Sequence, residues 1–178
     1  EELVRRLNVL FSAGEVDRGD AVAESVVDAS EIINTLGNGG VSSIGYAVDH
    51  VDRGDSGLLS RFSKKKLPDA DATNRITSLV RKATLGRLTL PCEVQGVERA
   101  LIVVAGPPEY LDRKGIERGR TWLEEQTGSM EVRGGDFPMP DEDSVACAVL
   151  LSGVTDVPRV KQLQAVAVEA MENLDDLR

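Results

Sequence analysis

The stretch RALIVVAG, residues 99–106, is an almost continuous run of apolar side chains rich in Val, Ile and Ala. A strand with one wet face alternates between apolar and polar residues, whereas a strand covered on both faces does not. Pro107 and Pro108 end the run, because proline lacks the N–H that a strand ladder needs. The stretch therefore predicts a central strand buried on both faces, and with it a sheet enclosed between helices.

Three further stretches complete the predicted sheet. SVACAVLLSGV at 144–154 is a second strongly apolar run, VSSIGYAVD alternates from residue 41, and SMEVRGG at 129–135 precedes a turn-rich segment, 136–143. Segments with helical periodicity lie between the strands and can cover them. Together they predict an α/β or α+β sandwich, with a four-stranded mixed sheet and covering helices.

Apolar residues at helical spacing predict five helices, at about 1–11, 28–36, 73–85, 113–126 and from 158 onward. The apolar stripe predicted for the first helix consists of Leu3, Leu7, Leu10 and Phe11. Asp156 is the predicted N-cap of the last helix, with Pro158 in its first turn. The stripe predicted for that helix consists of Val160, Leu163, Ala167, Met171 and Leu174.

The charge of the chain limits its partners. Acidic residues exceed basic ones by 30 to 21, a formal net charge of −9. A nucleic-acid surface needs a concentrated basic face, so we expect no nucleic-acid partner. The basic residues are 15 Arg against 6 Lys, and this bias, with the acid excess and few aromatics, supports the hypothesis of a halophile. In about 1 M salt such charges repel one another little, because screening acts over about 3 Å.

The location of the protein is inferred from the absence of a long apolar run and from the surroundings of the two cysteines. No apolar run approaches the roughly 20 residues that a membrane-crossing helix needs, so we expect no transmembrane segment and a cytoplasmic protein. Cys92 and Cys147 lie far apart in apolar surroundings. This pattern is typical of buried thiols in a reducing compartment rather than of a disulfide framework.

An acidic pair opens the second predicted helix. In VVDASEIIN, residues 26–34, Asp28 and Glu31 stand three positions apart where the apolar helical pattern begins. In one reading they form a capping box, in which Asp28 accepts from the third helical N–H and Glu31 reaches back to the Asp28 N–H. In the other, both acids point outward and orient a water molecule against a bound substrate.

The rest of the chain offers no complete catalytic site. The glycine-rich GNGG at 37–40 follows a helix and precedes a strand, the reverse of the order in a phosphate loop, and is interpreted as a helix end and turn. His50 is the only histidine and is interpreted as a surface residue. No cluster of Cys and His has the spacing of a metal site. If the acidic pair is catalytic, its substrate must therefore come from elsewhere.

The segment 52–72 is predicted to be a long irregular loop with a basic cluster. The cluster consists of Arg61, Lys64, Lys65 and Lys66. Loops of this length inside compact domains are usually functional or disordered. Both a contact role and a solvated loop stay open on composition alone.

The order of these pieces resembles the tubulin and FtsZ superfamily from its central helix onward, and is most similar to the archaeal CetZ group. The resemblance covers nearly the whole chain, 1 to about 172. The segments that carry it are VVDASEIINTL, TNRITSLVRKATLGRLTLPCE, RALIVVAGPPEYL, GIERGR and EEQTGSMEVRGGD. It implies a central helix and loop at 1–27, a C-terminal activation domain at 28–178, and a GTP-binding domain that this chain lacks.

The resemblance also implies a role for the acidic pair. In the superfamily the loop after the central helix carries two acids, which Asp28 and Glu31 match. They would enter the nucleotide pocket of the next subunit in a protofilament and activate the water that attacks GTP, with Mg²⁺ a candidate counter-ion. The family pattern has Asn where this chain has Val26, so that polar contact is absent.

By the same resemblance, the protein is a GTPase that builds filaments controlling cell shape, and this chain alone is inactive. Segment 52–72 would lie where tubulins touch the neighbouring protofilament, which makes its basic cluster a candidate lateral contact. An alternative remains, in which Asp28 and Glu31 only cap a helix of a structural module. A free-standing small-molecule enzyme is disfavoured, because no self-contained site appears.

Overall fold

The computed structural model describes residues 2–13, 27–37, 39–51 and 69–175. Its helices are α1 (Glu2–Ala13), α2 (Ala29–Leu36), α3 (Asp69–Leu85), α4 (Arg113–Thr127) and α5 (Pro158–Asp175). Its strands are β1 (Val41–His50), β2 (Arg99–Gly106), β3 (Glu131–Pro138) and β4 (Ser144–Val154). The predicted basic cluster, Arg61, Lys64, Lys65 and Lys66, lies outside the described residues.

The strands form one mixed sheet in the order β1-β4-β2-β3. Strand β4 runs antiparallel to both of its neighbours, whereas β2 and β3 are parallel and are joined through α4. Every side chain from Ala100 to Ala105 on β2 is buried. The prediction of a central strand within a four-stranded mixed sheet is therefore confirmed, and helices cover both faces.

On one face of the sheet, α3 and α4 pack over the larger core. The predicted inward stripe of α3 is confirmed, because Ile76, Leu79, Val80 and Ala83 are all fully buried. Helix α4 crosses α3 closely through two glycines four positions apart, Gly115 and Gly119. A Cβ at Gly115 would lie 2.8 Å from the Ile76 Cβ, and one at Gly119 would lie 2.7 Å from the Val80 Cγ2. Their lack of a side chain is what lets the helices approach.

Helices α1 and α2 cover the opposite face over a smaller apolar cluster. That cluster joins Leu10, Ala13, Val27 and Ile32 to the β2 and β4 residues Leu101, Val103 and Leu150. Because β2 contributes alternate residues to the two clusters, its sequence reads as a continuous apolar run.

The predicted stripe of α1 is wrong at its edges. Leu3 and Phe11 are 54% and 53% exposed, while Arg6 is only 3% exposed. Arg6 can be buried because its Nη1 donates to the Ile44 carbonyl at 3.2 Å and its alkyl stem can lie along apolar neighbours. The buried face of the helix therefore includes Leu10 and Arg6 but not the whole predicted stripe.

Two element boundaries also differ from the prediction. Helix α3 begins at Asp69 rather than at 73, and Asp residues are favourable in a first turn because they complement the helix dipole. Strand β3 continues to Pro138, beyond the predicted end at 135, since it stays paired with β2 up to Gly106. Proline is tolerated there because β3 is one of the two edge strands of the sheet.

The predicted stripe of α5 does not pack on the sheet. Leu163, Val166 and Met171 are more than half exposed, and Val160 at the start of the helix is 39% exposed. The helix is anchored at its start, where Val157 is 4% exposed. None of the described elements lies beside the stripe, so its apolar periodicity does not report burial within this part of the chain.

Both cysteines are free thiols, and the expectation of no disulfide between them is confirmed. Cys147 on β4 is fully buried, and burial raises the pKa of its thiol far above the usual range. Cys92 is only half-buried, contrary to the expectation for both, and burial also raises the pKa of its thiol. His50 is a surface residue as expected, with its side chain 81% exposed.

Candidate active site

The acidic pair lies at the first turn of α2, and buried apolar side chains on either side of the pair hold this turn against the sheet. Asp28 is the N-cap in extended conformation, and its Oδ1 accepts a hydrogen bond from the Glu31 N–H at 3.0 Å. Val27 before the cap and Ile32 in the second turn lie in one buried cluster, the arrangement known as a hydrophobic staple. The turn that carries both acids is therefore rigidly placed.

The carboxylate of Asp28 accepts hydrogen bonds from two residues of its own helical turn. The Ser30 hydroxyl also donates to the carboxylate of Asp28. The hydrogen bonds from the Ser30 side chain and from the Glu31 N–H hold the pKa of Asp28 below its usual value, because they favour the ionised form. Asp28 is thus a stable anion and a weak proton acceptor.

The lowered pKa of Asp28 gives a pH-dependent prediction. A carboxyl with a lower pKa in the folded state stabilises the fold above its unfolded pKa, here near the ordinary value of 3.8, and loses this contribution as pH falls through the folded pKa. Asn can also cap a helix but does not titrate. We expect the difference in unfolding free energy between the unsubstituted protein and Asp28→Asn to shrink in acid. Denaturant titrations from neutral pH to about pH 2 would measure it, and a constant difference would contradict the prediction.

Glu31 does not complete the predicted capping box. Its carboxylate contacts Arg133 on β3 instead, where the Arg133 Nη1 donates to both Oε1 and Oε2 at 2.7 Å. The side chains of Glu31 and Arg133 are 29% and 50% exposed, respectively. The ion pair prevails over the box because an arginine neutralises the charge of the carboxylate, which a backbone N–H cannot do. The hydrogen bond to Glu31 raises the pKa of Arg133.

A second arginine holds the other end of α2. Arg99 on β2 donates from Nη1 to the Asn34 carbonyl at 2.6 Å and forms an ion pair with Glu131 on β3. With Thr35 and Arg133, these residues line an open polar pocket of about 260 Å³. Sequence reasoning missed both arginines. The only available signal was the alternation of Glu131 and Arg133, which places two charges on one face of a short strand.

The histidine singled out in the sequence is not part of this site. His50 lies at the end of β1, and its Nδ1 is 4.0 Å from the Asp143 carboxylate. A pocket of about 610 Å³ lies between α3 and α4 on the opposite face of the sheet, lined by residues such as Arg81, Glu117 and Trp122. Across the four described ranges there is no group of three His, Cys, Asp or Glu residues that could hold a metal.

The turn GNGG behaves as expected from its position. Gly37 is the C-cap of α2, and Gly39 and Gly40 adopt positive φ angles of 71° and 81° before β1 begins. This is a helix end and turn rather than a phosphate cradle.

No helix in the described part of the chain has the length and apolar character that a membrane span requires.

Comparisons with known proteins identify the family. A family model described as the C-terminal domain of tubulin-like CetZ matches residues 1–169. The tubulin-like protein CetZ1 of Haloferax volcanii is 63% identical over 186 residues, which cover 100% of this chain and 47% of that protein. The chain therefore spans about half the length of the curated relatives that it matches.

Solved structures agree with the sequence comparison. The GDP-bound monomer of CetZ1 matches with a TM-score of 0.76 and 58% identity, over 96% of this chain and 43% of that one. CetZ2 of Haloferax volcanii, a GTPγS-bound protofilament, matches with a TM-score of 0.76 and 37% identity, over 98% and 45%. An FtsZ from M. jannaschii, 17% identical, shares the fold with a TM-score of 0.57 over 86% and 38%. The chain belongs to the tubulin-like CetZ family, and its fold is that of the C-terminal domains of the tubulin and FtsZ superfamily.

Proposed function

We propose that this chain is the C-terminal half of a CetZ-like cytoskeletal GTPase, whose filaments control cell shape. In this proposal Glu31 and Asp28 activate hydrolysis of GTP bound by the adjacent subunit. Two relatives support it, since CetZ1 is known as a GDP-bound monomer and CetZ2 as a GTPγS-bound protofilament. In this proposal the nucleotide, with Mg²⁺ as a candidate counter-ion, would be held by another part of the complete protein.

The observation that carries the proposal is the acidic first turn of α2 at the protein surface. Glu31 is 29% exposed there, on a helix fixed by the buried Ile32. A water molecule can donate to the Glu31 carboxylate and lose its proton to it during attack. General-base assistance of this kind is worth about 10²- to 10⁴-fold in rate. Asp28, an anion with a lowered pKa, would orient the water rather than accept its proton.

The wider roles of the protein follow from the same proposal. We expect self-association into protofilaments in the cytoplasm. The basic cluster of segment 52–72, outside the described residues, is proposed as a lateral contact between protofilaments. High salt would weaken any charge attraction there, because exposed ion pairs are strongly screened.

One alternative function has an observation in its favour. Both carboxylates already have partners within the chain. Asp28 accepts a hydrogen bond from the Glu31 N–H, and Glu31 forms an ion pair with Arg133. In that alternative the acids only hold α2 in place, and the chain is a structural module of a filament whose turnover does not depend on them.

The decisive experiment measures GTP turnover and filament lifetime together in the full-length protein with Glu31→Gln. The proposal expects filaments that assemble with GTP and persist, because hydrolysis no longer limits their lifetime. The structural alternative expects lower folding stability with unchanged turnover in each folded subunit. Unchanged turnover would remove Glu31 from the reaction.

A further inference from the structure

Two arginines on neighbouring strands attach α2 to the sheet in chemically different ways. Arg133 on β3 contacts the Glu31 side chain in the first turn of the helix, whereas Arg99 on β2 contacts the Asn34 backbone carbonyl near its end. The parallel register places Arg99 opposite Glu131 and Leu101 opposite Arg133. Alternate residues of a strand share a face, so both arginines project on the side of the sheet that α2 covers.

We propose that Arg133 is a positioning residue for Glu31, holding its carboxylate where the water attacking the neighbour's GTP can be activated. This inference rests on the proposed function of Glu31. Residues 31 and 133 come from opposite parts of the chain, and the fold brings them together.

The geometry of the contact fits a positioning role. A free glutamate side chain samples many rotamers, and ordering it costs conformational entropy at the moment of reaction. Both contacts come from a single nitrogen, the Arg133 Nη1, at 2.7 Å from each carboxylate oxygen. Since each carboxylate oxygen has two lone pairs, each keeps an acceptor site for a water molecule. The arginine therefore restrains the carboxylate and leaves it able to accept a hydrogen bond from water.

Charge provides a second reason. Asp28 and Glu31 together bring two negative charges to one turn, and a triphosphate opposite them would repel both. Arg133 offsets one of these charges at hydrogen-bond distance, and Coulomb interactions are strongest at such short separations. The ion pair thus lessens the repulsion between the acidic turn and an anionic substrate.

The test is a set of substitutions in the full-length protein, assayed for GTP turnover per polymerised subunit, polymer mass and thermal unfolding. We expect Arg133→Gln to lower turnover by about tenfold or more, since small displacements of a catalytic group have effects of this size. Arg133→Lys should restore most of the turnover, because one donor nitrogen with a positive charge is what the contact uses. Polymer mass should change little in both.

Arg99→Gln is the matched control. It removes a contact with a backbone carbonyl of the same helix and the ion pair with Glu131, but no direct contact with the Glu31 carboxylate. We expect a much smaller fall in turnover than for Arg133→Gln. An equal fall for Arg99→Gln and Arg133→Gln would overturn the inference, because helix anchoring alone would then account for the effect.

A double substitution separates this inference from the function on which it rests. If Arg133 acts through Glu31, then adding Arg133→Gln to Glu31→Gln leaves turnover within about twofold of Glu31→Gln alone, because coupled residues are not additive. A further fall of the full size would show that Arg133 acts elsewhere. Normal turnover in Glu31→Gln alone would reject the proposed function, whereas slow Glu31→Gln with normal Arg133→Gln would reject only the positioning role.

Discussion

Glu31→Gln is expected to lower GTP turnover by about 10²- to 10⁴-fold in the full-length protein while filaments still form, since this is the usual contribution of general-base catalysis. At about 1.36 kcal/mol per tenfold, the loss raises the barrier by about 2.7 to 5.5 kcal/mol. Glutamine has nearly the same shape and keeps one oxygen that can accept from Arg133. The substitution therefore removes the proton acceptor and leaves the helix packed.

The control for this experiment is Glu124→Gln. Glu124 is another glutamate paired with an arginine, Arg120, and it lies on α4 on the other side of the sheet. It should leave both turnover and filament lifetime unchanged. Sedimentation and phosphate release, measured on the same sample, distinguish slow hydrolysis from poor assembly. A turnover deficit that tracks the polymer mass would contradict a chemical role for Glu31.

The largest effect on stability is expected for Gly45→Ala on β1. A Cβ at this position would lie 2.0 Å from the Ala83 carbonyl oxygen and 2.8 Å from its carbon, both backbone atoms of α3. Overpacking of this kind costs about 1 to 3 kcal/mol and occasionally more. Because a helix backbone cannot yield as a side-chain tip can, we expect a loss of about 3 kcal/mol or more in the free energy of unfolding.

Gly39→Ala separates steric overlap from backbone strain in this test. Gly39 has a φ of 71°, and nothing lies within 4 Å of the point that a Cβ would occupy there. Alanine at this position bears only the cost of the left-handed conformation, about 1 to 2 kcal/mol. Denaturant unfolding monitored by circular dichroism should rank Gly45→Ala as clearly more destabilising. Equal losses would show that α3 moves away from β1 at little cost.

Sequence reasoning succeeded where the residues of one short stretch are enough to predict its secondary structure and burial. The apolar runs of β2 and β4 required burial on both faces, and Asp28 at the start of a helical pattern required an N-cap. It failed where the partner is distant in sequence. Nothing near Glu31 indicates Arg133. A glycine in a strand can mark the close approach of another backbone, but nothing near Gly45 indicates that the neighbour is Ala83.

Helical periodicity has a related limit. It located α1 and α5 but not the surfaces that they contact. In α1 the buried residue Arg6 carries a charge and donates to the Ile44 carbonyl, so a hydrophobicity pattern assigns it to solvent. In α5 the apolar stripe is exposed, because a periodic pattern shows that a helix has an apolar face without showing what covers it.

The sheet order has a consequence for how the chain folds. Strands β2 and β3 are joined through α4 within one contiguous stretch, whereas β1 pairs with β4, so that His50 meets Ser144. Closing that longer loop costs more chain entropy, and non-local pairings slow folding. We therefore expect the β2–α4–β3 unit to form early and β1 to dock late. Glu31 and Arg133 are 102 residues apart in the chain, so their contact is also non-local and would also form late. The acidic turn would then acquire its final geometry only after β3 is in place.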